Sequence, residues 1–283
     1  MNIFITGGSG FLGGHLTESL IEKGHKCTIY DIKYPNFNIH NAKFIKGNIL
    51  DEKKIEKYLN NIDVIYHFAG EADIDNANKH PLNSVENNIL ATSKLLNLAV
   101  KKKIKRFIFA STVYVYSEQG GLYRTTKQAC ELLIENYKNN YKLDFTILRF
   151  GSLYGPRAND FNWLNKVILK LKKNQNIIRH TSGNELRNYI HVLDAAILSV
   201  KAMSSKYKNK YLMLTGNESI SVKSLLKLLK EISGSKSKIT FSNKKTVSDH
   251  YMITPFSFKP RMASKIKKDD EIDLGQGLYD LIF

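Results

Sequence analysis

The chain has no apolar run approaching the ~18–20 residues of a membrane-spanning helix, so no membrane span is expected. Its first residues, MNIFITGGSG, lack a basic segment followed by a long apolar stretch, so no secretory leader is expected either. Only two cysteines occur, Cys27 and Cys130, with no metal-ligand spacing. They form no disulfide framework or metal centre and read as reduced core thiols of a cytoplasmic protein. Acidic residues are scarce beside basic ones, 26 against 43, which leaves a net charge of +17. Such a surplus suits solvated lysine-rich faces, steering of an anionic small substrate, a nucleic acid or an anionic membrane surface. The lysines are spread along the chain, and runs such as Lys101-Lys102-Lys103 and Lys172-Lys173 fall at expected helix ends, where cations complement the helix dipole. Basic–aromatic interleaving and nucleic-acid motifs are lacking, so neither nucleic acid nor membrane is expected as a partner. Internal repeats and long low-complexity linkers are missing as well.

What is present is an α/β rhythm. The 283 residues, 42% hydrophobic and 24% charged, suit one large α/β domain or a domain with an appended lobe. Asn2–Thr6 is a short apolar run followed by a glycine-rich turn and a helix from Phe11 to Lys23. Strands are expected at Cys27–Tyr30, Lys43–Ile45, Val64–Phe68, Arg106–Ala110 and Phe145–Phe150, with helices over Pro81–Lys101 and Tyr123–Asn139. Alternating strands and helices imply a doubly wound parallel sheet covered on both faces. After Gly155-Pro156 the rhythm breaks. Helices are expected at Phe161–Lys173, Val192–Met203 and Ser221–Ser233. The division that follows is a Rossmann domain over 1–155, with 187–204 packing back onto it, and a smaller interleaved lobe from 156–186 and 205–283.

Thr6-Gly7-Gly8-Ser9-Gly10-Phe11-Leu12-Gly13 follows the first strand and opens the first helix. Glycines there let the backbone turn tightly and approach a pyrophosphate, which rests on the helix N-terminal N–H groups. The second strand ends in Tyr30-Asp31, with Asp31 18 residues beyond Gly13. A carboxylate at that place accepts hydrogen bonds from adenosine ribose hydroxyls and repels a 2′-phosphate, which favours NAD over NADP. A plain tight turn is the alternative for the loop, and a helix cap or surface carboxylate the alternative for Asp31.

Taken in order, TGGSGFLG, Asp31, GNI at Gly47–Ile49, HFAG at His67–Gly70, YRTTK, LRFGSLYGPR at Leu148–Arg157, RNYIHVLDAA at Arg187–Ala196 and LGQGL at Leu274–Leu278 resemble the extended short-chain dehydrogenase/reductases, and within them the nucleotide-sugar epimerase/dehydratase family. The resemblance covers essentially the whole chain. It implies a nicotinamide dinucleotide held by Gly7, Gly10, Phe11, Leu12, Gly13 and Asp31, with Asn48 and Ile49 at the adenine. It further implies Phe68, Ala69 and Gly70 along the dinucleotide, Asn88 behind the catalytic residues, and a C-terminal lobe that binds a nucleoside-diphosphate sugar. A core phenylalanine and a helix-surface asparagine remain the alternatives for Phe68 and Asn88. The family also implies a homodimer packed through its two long helices.

On a helix, Tyr123 and Lys127 lie one turn apart on one face. A free phenol, with a pKa near ~10, is a poor base at neutral pH. A lysine ammonium and a positive nicotinamide ring stabilise its phenolate, so Tyr123 takes a proton from a sugar hydroxyl while hydride leaves the same carbon. In the family pattern the hydroxyl that orients the substrate falls on Thr112, beside Ser111. Related dehydratases carry an acid pair after that threonine, whereas this chain has Val113 and Tyr114, which argues against 4,6-dehydration. The leading expectation is a nucleotide-sugar 4-epimerase. The alternatives are a net 4-dehydrogenase that releases the ketone and, from another class, a non-catalytic NAD-binding module.

On the substrate side the resemblance implies Arg187 on the diphosphate, Asn162 on the diphosphate or sugar, Arg261 as a second arginine, and Ser152 where relatives have asparagine. Asp194 is expected to cap the helix that follows it. Only SEQGGL separates Tyr116 from Tyr123, a shorter loop than relatives carry, so a more open sugar pocket is expected.

Overall fold

A computed structural model describes residues 1–242. Arg261 and the LGQGL segment therefore lie outside the described residues.

The first half forms one parallel sheet. Its strands in chain order are β1 (Asn2–Thr6), β2 (Lys26–Asp31), β3 (Ala42–Lys46), β4 (Val64–His67), β5 (Arg106–Thr112) and β6 (Phe145–Phe150). Two-residue alternation feeds both faces: Ile3 and Ile5 of β1 enter one core and Phe4 the other. β4, at the centre, is buried throughout. Helix α1 (Phe11–Glu22) packs Leu16 and Leu20 on the first face. On the second face lie α2 (Glu52–Glu56), with Ile55 buried, and the crossover helices described next.

The β4–β5 connection holds α3 (Ile74–Lys79), α4 (Pro81–Ser84), a wider π-helical stretch over Val85–Leu90 and α5 (Ala91–Lys101). The single helix expected over Pro81–Lys101 is thus interrupted by a π segment, a feature often found beside functional sites. After β5, a short 3₁₀ turn (Val113–Tyr116) leads to the turn that opens α6 (Gly121–Tyr141).

The remaining elements are β7 (Ser152–Tyr154), α7 (Trp163–Lys172), β8 (Ile177–Arg179), β9 (Leu186–His191), α8 (Val192–Lys201), β10 (Lys210–Leu214), β11 (Ser219–Ser221), α9 (Val222–Ser233) and β12 (Ile239–Phe241). Helix α8 returns to α1, burying Ala195 in the first-face core. The sheet order is β10-β6-β5-β4-β1-β2-β3, and every pair in it is parallel. The order reverses between β1 and β4, where a doubly wound sheet opens a crevice at its carboxyl ends.

β10 corrects the expected division. Residues 205–283 were assigned to the lobe, yet Lys210–Leu214 pairs with Thr146–Phe150 as the seventh strand of the main sheet. Asp144 fixes this edge through Lys138 (2.5 Å), Lys208 and the Asn209 amide (3.0 Å). The lobe itself is small. It holds β7–β9–β11, the pair β8–β12, and helices α7 and α9 over a core of Val167, Leu171, Ile177, Val222 and Leu226. Trp163 packs against that core with the Arg179 guanidinium 5.1 Å from its ring.

Candidate active site

The glycine loop is shaped by close backbone approach. Gly7 has φ +72°, and a Cβ there would stand 2.5 Å from the Ala69 nitrogen; a Cβ on Gly13 would stand 2.1 Å from the Gly7 oxygen. The turn therefore nests on itself and on the end of β4, which only glycine permits. Gly10 caps α1 without a side-chain hydrogen bond, and no acidic residue occupies the first turn. The helix start is thus open to an anion. Ser9 Oγ is buried and has no hydrogen-bond partner among the described residues. Asp31 fixes the loop to β2, accepting from the Ser9 N–H (3.0 Å) and the Lys33 N–H (3.0 Å).

These residues border a cleft of about 1000 Å³ at the carboxyl ends of the strands. Gly7, Gly10, Phe11, Leu12 and Gly13 form its floor; Asp31, Asn48 and Ile49 one end; Phe68, Ala69 and Gly70 the middle. The other end is lined by Ser111, Thr112, Tyr123, Lys127 and Asn162. A pyrophosphate-sized cradle with uncapped helix N–H groups, a carboxylate at one end and an aromatic at the centre fits a nicotinamide dinucleotide. At the adenine end, the Asn48 carbonyl accepts from Tyr30 (3.0 Å) and its side chain from the Leu50 N–H (2.9 Å).

Asn88 lies in the π segment, 2% exposed, behind the cleft wall. Its amide accepts from the Glu71 N–H (2.7 Å) and donates to Thr126 Oγ1 (2.9 Å), tying the end of β4 to the catalytic helix. Beneath it, His67 bridges Thr6 (2.7 Å) and Thr92 (3.0 Å). Burial, and secondarily Lys127, push His67 down to about 3, so it is a neutral structural group.

At the reactive end, Thr112 closes β5 and accepts from the Tyr114 N–H (3.2 Å). Burial pushes the Tyr123 phenol up to about 12; the neighbouring Thr112 hydroxyl opposes the rise and the Glu71 carboxylate adds to it. Lys127 donates to the Ala110 carbonyl (2.9 Å) and lies 4.7 Å from the Phe109 ring centroid and 5.9 Å from that of Tyr123. Burial lowers its pKa, while Cys130 and Glu131 hold it up. The phenol depression expected from sequence is absent in the protein alone, because desolvation outweighs the neighbours.

Glu131 and Arg149 went unread in the sequence. Arg149 grips the Glu131 carboxylate through Nε (3.0 Å) and Nη2, with side-chain exposures of 14% and 7%, and Ser111 Oγ donates to the same carboxylate. Ser111 thus borders the cleft with its hydroxyl committed to Glu131. A glutamate four residues past Lys127 and an arginine within the apolar β6 were the available signals. Arg149 also stacks on Tyr116 (4.5 Å) and Tyr211 (4.7 Å).

Other substrate-side expectations require correction. Asn162 lines the cleft but caps α7, accepting from the Asn165 N–H (3.0 Å) and donating to the Leu153 carbonyl (2.9 Å). Arg187 does not border the cleft: it is 6% exposed on β9, paired with Ile220 of β11, and donates to the Leu186 carbonyl (2.8 Å). Ser152 pairs with Tyr189 inside the lobe sheet and does not border it either. Helix α8 is capped by His191 rather than Asp194, which stands exposed in the first turn.

The SEQGGL turn folds away from the cleft. Gly120 (φ +97°) and Gly121 (φ +48°) reverse the chain, and a Cβ on Gly120 would stand 2.7 Å from the Tyr114 ring. The Leu122 N–H donates to Asn78 of α3 (2.9 Å), and none of residues 117–122 borders the cleft.

The model of the NAD dependent epimerase/dehydratase family matches residues 3–212. A dTDP-D-glucose 4,6-dehydratase of Dictyostelium discoideum is 31% identical over 68% of this chain, an alignment that spans only 53% of that protein's length. Among solved structures, the UDP-glucose 4-epimerase of Thermotoga maritima with UDP-glucose is 26% identical, with a TM-score of 0.82 over 91% of this chain and 90% of its own. The UDP-glucuronic acid 4-epimerase of Bacillus cereus, in complex with UDP-glucuronic acid and NAD, is 25% identical, with a TM-score of 0.82 over 93% and 95% of the two chains.

Proposed function

The chain belongs to the NAD dependent epimerase/dehydratase family, and from that premise we propose that it oxidises a nucleoside-diphosphate sugar at the C4 carbinol and returns the hydrogen to the other face, acting as a 4-epimerase. The observation that carries this reading is the meeting of Thr112, Tyr123 and Lys127 on one cleft wall, with the Lys127 ammonium 5.9 Å from the Tyr123 ring centroid one turn along the same helix. Val113 and Tyr114 stand where related dehydratases carry their acid pair. Val113 is 2% exposed, and the Tyr114 ring meets that of Tyr123 edge-on at 6.3 Å, so neither supplies a proton for loss of water.

Tyr123 acts as the base. Burial raises its proton affinity, and two positive charges would bring it back towards neutral pH: the Lys127 ammonium on the same helix face and the ring of a bound NAD, which would also supply the hydride acceptor. Thr112 would hold the sugar oxygen against Tyr123, and Lys127, desolvated beside Phe109, would face the nicotinamide ribose. Gly7, Gly10 and Gly13 would hold the pyrophosphate on α1, and Asp31 the adenosine ribose.

A net 4-dehydrogenase is the second reading, favoured by the short turn, none of whose residues borders the cleft. The non-catalytic module is disfavoured, because glycine loop, tyrosine and lysine are all kept. Arg187 is a proposed diphosphate partner that requires the lobe to rearrange around the sugar nucleotide, and Arg261 is proposed as a second. Helices α5 and α6 are the proposed homodimer contact: Leu132 of α6 is 65% exposed, and Leu90, just before α5, 44%. No helix among the described residues is long and apolar enough to cross a membrane. Both cysteines are free and buried, which supports a cytoplasmic setting.

The test is incubation of purified protein with UDP-, GDP- and dTDP-sugars, followed by NMR and mass spectrometry. An isomer of unchanged mass supports epimerisation, and a product two mass units lighter supports the dehydrogenase. Loss of water would refute both.

A further inference from the structure

The chain leaving β7 crosses the helix that opens the cofactor cleft, and one arginine fastens it there. His15 of α1 donates from Nε2 to the Pro156 carbonyl (3.0 Å) and accepts at Nδ1 from Arg157 Nη2 (2.7 Å). Arg157 also forks onto Glu18, one turn along α1, with Nη1 on Oε1 (3.0 Å) and Nη2 on Oε2. Its guanidinium lies 4.9 Å from the ring centroid of Phe37, in the β2–β3 loop. That ring in turn rests on α1 itself, since a Cβ on Gly14 would stand 2.8 Å from it. The Arg157 backbone is held at φ +62°, a left-handed conformation rare for a side chain of this size.

Both segments that Arg157 gathers onto α1 border the cleft: Arg157 to Asn162 on one side, Asn36 beside Asp31 on the other. Three segments of the chain thus meet on α1, just past the glycine turn. A bidentate arginine–carboxylate fork gives this meeting a fixed geometry that a point charge would not. Burial keeps His15 neutral, so its Nδ1 remains an acceptor for the arginine.

We propose that Arg157 is a positioning residue that retains the dinucleotide, clasping the first connection of the substrate lobe and the β2–β3 loop to α1 so that these two walls of the cleft stay in place around bound NAD. The proposal rests on the cleft holding NAD and not on which sugar is turned over. Glu18 does not border the cleft, so any effect of changing it on NAD must pass through the clasp.

The experiment uses holoprotein loaded with NAD and follows NAD release into an excess of a trapping dehydrogenase. Glu18→Gln and Arg157→Met are expected to release NAD at least tenfold faster than wild type, while the melting temperature of each NAD-free variant stays within a few degrees of wild type. Arg157→Lys, which keeps the charge but loses the fork, is expected to release NAD faster than wild type and more slowly than Arg157→Met. Release rates within twofold of wild type in Glu18→Gln would overturn the proposal, even if Arg157→Met failed to fold. Equal acceleration by Arg157→Lys and Arg157→Met would overturn the role of the ion pair. A wild-type protein that takes up no NAD would sink the reading of the cleft itself, an outcome distinct from a change in release rate.

Discussion

Replacing Glu131 with glutamine tests the pair that braces the reactive end of the cleft. The carboxylate is 5% exposed and receives the Arg149 fork and the Ser111 hydroxyl. Glutamine keeps the shape and one acceptor but leaves a buried guanidinium facing an amide. Breaking a buried pair in this way costs about 3–5 kcal/mol, and the retained acceptor favours the lower end, about 3 kcal/mol. At roughly 2–4 °C per kcal/mol for a chain near this size, the melting temperature should fall by about 6–12 °C. The double variant Glu131→Leu with Arg149→Met should recover most of that loss, because it removes both charges together. Glu131 also helps to hold the Lys127 ammonium against burial. Its loss therefore lowers the Lys127 pKa further, and the alkaline limb of kcat/KM moves to lower pH. Urea titration followed by circular dichroism measures the first effect and a pH–rate profile the second. A single-variant cost below about 1 kcal/mol, with no recovery in the double variant, would refute the reasoning.

Gly13→Ala places a methyl 2.1 Å from the Gly7 carbonyl oxygen, a backbone atom that cannot turn aside. NAD binding by calorimetry should weaken at least a hundredfold. Burial opposes ionisation of Asp144, but the hydrogen bonds from Lys138, Lys208 and Asn209 win and draw its pKa to about 2. A depressed carboxylate contributes stability above its unfolded pKa of ~3.9 and loses it as pH falls through the folded value. Asp144→Asn should therefore lower stability at pH 7 by about 1 kcal/mol after solvent screening and flatten the acid limb between about pH 4 and 2, as read by thermal melts across pH.

The parts of the fold legible in sequence are those set by local rules. The TGGSGFLG turn needs glycine wherever the backbone touches itself, and β1 to β6 carry apolar runs that a doubly buried sheet requires. Strand β10 escaped because KYLML is a short, half-exposed edge strand whose partner lies about sixty residues earlier. The helical pattern over Pro81–Lys101 is continuous, and no periodicity distinguishes a π turn that shifts the phase by one residue. The Arg157 contacts join residues more than 130 positions apart, which composition does not encode. Arg187 was placed by resemblance on a diphosphate, whereas its strand register buries it in the lobe. Tyr123 and Lys127 line the cleft together, but the proton affinity of the Tyr123 phenol depends on burial summed over the fold, which raises it in the protein without cofactor.

The central claim is that Tyr123 removes a proton from a sugar carbinol while that carbon's hydrogen leaves and returns without exchanging with solvent. It is tested most directly by turnover of a nucleotide sugar in deuterated water, comparing wild type with Tyr123→Phe by NMR. The account predicts a C4 epimer with no deuterium on carbon from wild type, and at least a hundredfold slower turnover from the variant, the scale of general-base catalysis. Deuterium at C4, or a Tyr123→Phe protein as active as wild type, would contradict it.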